Sequence, residues 1–316
     1  MRSLRFLRIA LLLGLLSAIG PFAIDMYLPA LPAIGRSLNA DIGQVQWSLT
    51  AFFLSIGAGQ LLYGPLADRL GRKPPLLFGL ALFLAASIGC ALTRDMQLLI
   101  LLRFAQGLGA AAGMAIPRAI VRDLHTGTDA ARLMSLLMLV FSVSPILAPL
   151  AGSAVIAASG WRGVFWAVAL AAVAGLALTA CCLKETRPPA QRLDSGLGSA
   201  LAGYARLLGD RDFMGLVLIG SFALGGFFVY LANSPFVLIE HYGLTPTQYS
   251  LAFALNALSF IAASQFVGPL GERYGLDQVL RLAVLGAAAT MGLMLAAFLV
   301  SRPSNSSAEP GELGED

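Results

Sequence analysis

The sequence predicts an all-α polytopic membrane protein. Three observations carry this: a composition too apolar for a soluble domain, nine apolar runs long enough to span a bilayer, and basic residues gathered on one side of them. Of the 316 residues 58% are hydrophobic and 12% charged, against about 25% charged in soluble domains. Lipid lets apolar side chains cover the outside of every helix, so the excess needs no other cause. Cys90, Cys181 and Cys182 all fall inside apolar runs without metal-ligand spacing, and read as small packing or lipid-facing residues rather than redox groups.

A span needs about 20 apolar residues, and nine such runs occur, at about 8–32, 45–66, 75–93, 97–117, 133–156, 163–183, 213–237, 248–269 and 279–300. Arg2, Arg5 and Arg8 precede the first, as in a signal peptide. The run is too long for that, and no small-residue cleavage site closes it, so it reads as a retained helix. With the N-terminus in the cytoplasm, Arg36, Arg94, Arg162 and Arg302 fall outside and Arg103 falls within a span. The remaining 16 of the 21 Lys and Arg then lie on the cytoplasmic side. Such a bias in short loops is the positive-inside signal, and one missed helix would scramble it.

The longest internal hydrophilic stretch, 184–212, follows the sixth span. It reads as a cytoplasmic linker, with an amphipathic helix at about Ala200–Leu208 lying on the membrane surface. An internal repeat supports two bundles. Gly64-Pro65-Leu66-Ala67-Asp68-Arg69-Leu70-Gly71 recurs 204 residues later as Gly268-Pro269-Leu270-Gly271-Glu272-Arg273-Tyr274-Gly275, the distance of six helices with their connections. The expected organisation is therefore a six-helix bundle at 1–183, the linker, and an incomplete three-helix bundle at 213–300. Residues 301–316, polar and acidic, are expected to be disordered and outside.

Asp25 interrupts the first apolar run. A carboxylate at the centre of a span costs about 2.5–3.5 kcal/mol on insertion scales and marks a functional site by default. Reversible protonation is one reading, and a permanent packing pair with Arg103 the other. Pro21, Pro29 and Pro32 remove amide donors around Asp25 and predict a local kink or unwinding. Arg103 is expected at a similar depth, each residue roughly 10 Å below the outer end of its helix. A direct or water-bridged pair is one outcome, and snorkelling of Arg103 to the outer interface the other.

In the 64–73 loop, Gly64 and Gly71 suit a tight reversal, Asp68 and Arg72 stand four apart, and Arg69 adds positive charge. Asp123 and Arg122, at the inner end of the fourth helix, are candidates to join this cluster. Pro145, Pro149 and Gly152 give the fifth helix a kinked surface that another helix can approach closely, with ordinary packing as the alternative. Tyr27, Gln60, Gln106, Tyr230, Asn233, Asn256 and Gln265 are polar or aromatic positions inside spans, fit either to line a cavity or to bond between helices. His125 and His241 form no cluster, and no phosphate loop, metal-ligand set or nucleophile–base pair is visible. Nothing points to ATP hydrolysis, an enzyme, a metal or another cofactor.

These motifs resemble a known family. GPLADRLGRK at 64–73 is similar to the loop signature between the second and third helices of the major facilitator superfamily. LRFAQGLGA at 102–110 resembles its fourth-helix motif, whose arginine is associated with proton coupling. The fifth helix resembles the antiporter motif, with Ala148 and Ala151 where glycines are often found. DMYLPALP at 25–32 and NSPFVL at 233–238 resemble the bicyclomycin/chloramphenicol-resistance (Bcr/CflA) branch.

The resemblance implies a bacterial inner-membrane drug/proton antiporter of two six-helix bundles, working as a monomer by alternating access on hydrophobic small molecules. In it Asp25 is the proton-linked carboxylate, Arg103 its partner, and Asp68, Arg72 and Asp123 an inner gate. Three helices of that pattern have no counterpart after residue 300. The alternative expectation is therefore a truncated, transport-incompetent fragment, with helices seven to nine loosely attached and Asn233 and Asn256 poorly covered. No nucleic-acid partner is expected, and such apolar pockets do not name their substrate.

Overall fold

The computed structural model describes residues 2–191 and 197–301 and is helical almost throughout. Of the expected tail, Ser301 ends the last helix and residues 302–316 lie outside the described residues, as do residues 192–196 of the linker. Nine helical spans are long and apolar enough to cross a membrane among the described residues: Phe6–Leu38, Ile42–Leu70, Lys73–Leu92, Met96–Leu124, Gly127–Ser159, Trp161–Cys182, Arg211–His241, Pro246–Tyr274 and Leu276–Ala296. Their order matches the nine apolar runs, although several extend further than hydropathy marks, because capped polar turns continue the helix beyond its apolar stretch.

The first span is not one helix. α1 (Arg2–Asp25) runs through Pro21 and stops at Asp25; a 3-10 turn (Leu28–Ala30) follows, then α2 (Leu31–Leu38). Pro29 and Pro32 lack amide hydrogens, and the chain crosses the break on tighter bonds, Tyr27 N–H to Ile24 O and Ala30 N–H to Tyr27 O. The expected unwinding is present and centred just after Asp25. α2 ends at Asn39 in the left-handed conformation, and α3 (Ile42–Leu70) starts on a capping box between Asp41 and Gln44.

Gly64 lies inside α3, where a Cβ would meet nothing, so it makes no reversal; Gly71 (φ 94°) makes the turn alone. α4 (Lys73–Leu92), α5 (Met96–Leu124), α6 (Gly127–Ser159) and α7 (Trp161–Cys182) follow. α6 continues through Pro145 and Pro149 without a break.

Small residues bring these helices together. A Cβ on Gly109 of α5 would lie 2.5 Å from the Phe83 amide nitrogen of α4, and one on Gly59 of α3 would lie 2.5 Å from Ala111 Cβ. Backbones pack at this distance only where side chains are missing, which is how helices associate in lipid.

The linker forms α8 (Leu197–Gly209), close to the expected surface helix. α9 (Arg211–Pro235) is capped by Asp210 and passes into a π-helical turn at Phe236–His241, and α10 (Pro246–Gln265) follows. Two compact units divide the chain, residues 1–258 and 259–316. In the second, α11 (Val267–Tyr274) turns at Gly275 and packs against α12 (Leu276–Ser301).

Burial differs sharply along the chain. The six spans up to Cys182 bury 28–56% of their most apolar window, whereas the last three bury 6%, 11% and 0%. Asn233 and Asn256 are exposed, as expected of poorly covered positions, yet each has a hydrogen-bond partner. Asn233 Nδ2 donates to Val229 O (2.8 Å) and Asn256 Nδ2 donates to Tyr230 OH (2.7 Å). A helical amide reaches its own helix's carbonyl or a neighbouring hydroxyl without a further bundle.

Candidate functional site

The break in the first span places Asp25 at the end of α1, buried to 7% exposure. Ser144 of α6 donates to Asp25 Oδ2 at 2.9 Å. α6 touches the break again at Gly152, where a Cβ would lie 2.5 Å from Met26 O. The proline-and-glycine helix is thus the element packed on the carboxylate, and Gly152 serves close approach.

Arg103 is fully buried, which rules out snorkelling. Its Nη1 donates to Gln106 Oε1 (2.6 Å), and Gln106 Nε2 donates to Ser87 Oγ (2.7 Å). The guanidinium lies 4.3 Å from the Tyr27 ring centre and 4.0 Å from that of Phe52, while Nε and Nη2 have no hydrogen-bond partner among the described residues. Tyr27 is held by its hydroxyl, 2.7 Å from Ser48 Oγ.

Of the outcomes that similar depth left open, a direct Asp25–Arg103 pair is not made: no ion pair joins them among the described residues. Two aromatic faces and an amide hold the cation instead, contacts worth about 2 kcal/mol or more when desolvated. The sequence showed both charges; Ser144, Ser48 and Ser87 were missed, because lone serines in spans ordinarily bond their own helix.

A second cluster lies at the end of the bundle carrying the 64–73 loop. Arg72 donates from Nη1 to Asp68 Oδ1 (2.8 Å), and from Nε and Nη2 to the two carboxylate oxygens of Asp123 (2.7 and 3.1 Å). Burial opposes the charge on Arg72, but its bonds to Asp123 and Asp68 outweigh it and hold the pKa above the ordinary value. Asp68, Arg72 and Asp123 come together as the resemblance implied. Arg69 stays exposed, outside this network.

Two residues join the cluster that were not expected. Glu185 accepts the backbone N–H groups of Arg72 (2.8 Å), Lys73 (3.1 Å) and Arg187 (3.0 Å), and Arg187 donates to Asp68. Partial burial works against the Glu185 charge, yet these amides outweigh it and lower its pKa. The signal was available: charges of both signs directly after the sixth span, opposite a basic turn.

The other named positions separate. Gln60 and Gly64 line an open cavity of about 400 Å³ with Asp68, Arg72, Arg118, Arg122 and Asp123. Gln106 and Tyr27 belong to the Arg103 network, Tyr230 pairs with Asn256, and Asn233 Oδ1 accepts from Gln46 at 3.0 Å. Gln265 bonds within its own helix. Among the described residues no three His, Cys, Asp or Glu are placed to hold a metal.

A bundle of spans around a broken first helix, with a paired loop motif at one end, has the architecture of the major-facilitator class. The sequence profile described as Major Facilitator Superfamily matches residues 13–307, and this chain belongs to that family. It is 38% identical over 299 residues to the uncharacterized MFS-type transporter YdgK of Bacillus subtilis, which covers 94% of this chain and 74% of that protein. It is 30% identical over 274 residues to a bicyclomycin resistance protein homolog of Haemophilus influenzae (87% and 69%). It is 33% identical over 273 residues to a chloramphenicol resistance protein of Pseudomonas aeruginosa (86% and 64%). The chain thus spans about two thirds to three quarters of these relatives' lengths.

Among solved structures, a bacterial homolog of the human lysosomal transporter Spinster, inward-facing and unoccupied, aligns with a TM-score of 0.67 at 18% identity, over 86% of this chain and 64% of that one. A D-xylose–proton symporter aligns at 0.66 and 15% identity (85% and 69%). At these identities the likeness is one of fold.

Proposed function

We propose that this chain serves proton-coupled export of hydrophobic or amphipathic drugs across the bacterial inner membrane by alternating access, as a monomer with its N-terminus in the cytoplasm. The observation that carries the reading is Asp25: a carboxylate buried at a helix break, held by a neutral hydroxyl rather than a cation. A permanently paired carboxylate has no reason to exchange its proton, whereas one facing Ser144 has no fixed counter-ion to lose. Relatives named for bicyclomycin and chloramphenicol resistance support the substrate class, and the basic bias of the loops supports the orientation. The recurrence of the loop motif supports dividing the transport architecture at the 184–212 linker, with α8 on the inner membrane surface. The Tyr204 hydroxyl of α8 donates to Leu61 O (2.8 Å), the carbonyl that Pro65 leaves without its helical donor.

The contacts of α9 and α10 with the first six spans favour an inward-facing state. Arg36 pairs with Glu240 (3.2 Å), Gln46 donates to Asn233, the Phe53 and Phe228 rings lie 4.3 Å apart, and Ser250 donates to Pro149 O (2.8 Å). All lie in the halves of their helices away from the 64–73 loop, which is the outer half in this orientation. Asp68, Arg72 and Asp123 then form the inner gate, beside the open cavity.

Proton release on drug binding tests the reading. Purified chain mixed with a lipophilic cationic drug in weakly buffered detergent solution should acidify a pH-indicator dye, and Asp25→Asn should not. Equal release from both proteins would move the coupling site away from Asp25.

A further inference from the structure

The open cavity at the loop end holds two cations that the inner-gate network does not use. Arg118 and Arg122 stand one turn apart on α5 and both line it. Like charges at this spacing repel, and neither arginine has an acidic partner among the described residues. Arg118 Nε is buried without a hydrogen-bond partner among the described residues, although the guanidinium is positioned, 5.4 Å from the ring centre of Phe141 on α6. The carboxylates on the cavity wall, Asp68 and Asp123, are already engaged by Arg72. A positioned guanidinium fork with a free donor, a second arginine beside it and no available carboxylate leave the cavity an excess of positive charge.

We infer that this cavity binds a phosphate-bearing anion, with Arg118 and Arg122 as its ligands. Planar guanidinium forks match phosphate oxygens, and charge-assisted bonds of this kind are the strong ones. Depth favours a lipid as the source. Arg122 and Arg118 lie two and six residues before α5 ends at Leu124, about 3 and 9 Å along the axis, the level of a headgroup rather than of acyl chains. The inner leaflet is where anionic lipids and basic protein segments meet. Gln60, on the same wall, offers a neutral donor to a remaining oxygen. Bound here, the phosphate sits beside Arg72 and adds its charge to the field that Asp68 and Asp123 already exert. The site does not depend on the export reading, since it requires only that the loop end meets a phosphate source.

The test is native mass spectrometry of the full chain in neutral detergent with phosphatidylglycerol or phosphatidylcholine, alongside calorimetric titration with inorganic phosphate. Variants are Arg118→Gln, Arg122→Gln, the charge-keeping Arg118→Lys, and Arg206→Gln as a surface-charge control on α8. One phosphatidylglycerol should be retained per chain, with phosphatidylcholine clearly weaker. Binding should weaken about tenfold in Arg118→Gln and Arg122→Gln, the scale of a lost charged hydrogen bond, less in Arg118→Lys, and not at all in Arg206→Gln. Phosphate binding with the same arginine dependence, but none by lipid, would support the site with a free anion as its source. Binding of all probes equally well by wild type, Arg118→Gln and Arg122→Gln would overturn the inference; Arg122 is exposed, so its variant reads out even if Arg118→Gln fails to fold.

Discussion

The Ser144 hydroxyl donates to Asp25 Oδ2 at 2.9 Å, so the intramembrane carboxylate is bonded to the fifth span rather than to the intramembrane arginine. Helix α6 therefore meets the break in the first span at two places, the hydroxyl of Ser144 and the bare surface of Gly152. A change in charge at Asp25 acts first on α6.

Ser144→Ala should destabilise the chain by about 1–3 kcal/mol, the cost of leaving a buried acceptor without its donor, and Ser144→Thr by less. In an Asp25→Asn background the Ser144→Ala cost should change by at least about 0.5 kcal/mol, as expected for residues in direct contact. Thermal unfolding in detergent measures the cycle, and additive effects would mean the bond is not energetically significant.

Arg103→Lys should cost about 1–3 kcal/mol despite conserving charge. An ammonium cannot lie flat between Tyr27 and Phe52 while donating to Gln106, and it is more strongly hydrated than a guanidinium. A melting temperature equal to wild type would show that the aromatic faces contribute little.

Adding a methyl group to two glycines should have opposite consequences. Gly152→Ala places a Cβ 2.5 Å from Met26 O and should destabilise by about 1–3 kcal/mol through overpacking. Gly64→Ala meets nothing and should stabilise α3 by about 0.5–1 kcal/mol, the ordinary helical preference for alanine. The same melting assay decides both.

Glu185 gives the loop end an acid-sensitive component. Its pKa is lowered from 4.5 on folding, so the folded state favours its ionised form. The stability it contributes is complete above about pH 4.5, its unfolded value, and is lost as pH falls through the lowered folded value. Glu185→Gln should flatten that part of the stability–pH curve while leaving Asp68, Arg72 and Asp123 paired. Unchanged acid sensitivity in the variant would assign the loss to other carboxylates.

Much of this protein was determined by its sequence. Nine spans follow from apolar run length, because lipid demands it locally and residue by residue. The break after Asp25 follows from Pro29 and Pro32, and the Asp68–Arg72 pairing from four positions of separation across the tight turn that Gly71 permits. Partners between helices were not legible: Ser144 for Asp25, Tyr27 and Phe52 around Arg103, Glu185 over the amides of Arg72 and Lys73. Similar depth made Asp25 and Arg103 candidates for each other, but depth fixes one coordinate only. Which faces meet depends on how closely backbones approach at Gly59, Gly109 and Gly152, and on the rotation each helix adopts when its neighbours fill the space. Those quantities belong to the packed bundle and to no single segment, so the tertiary structure alone decided them.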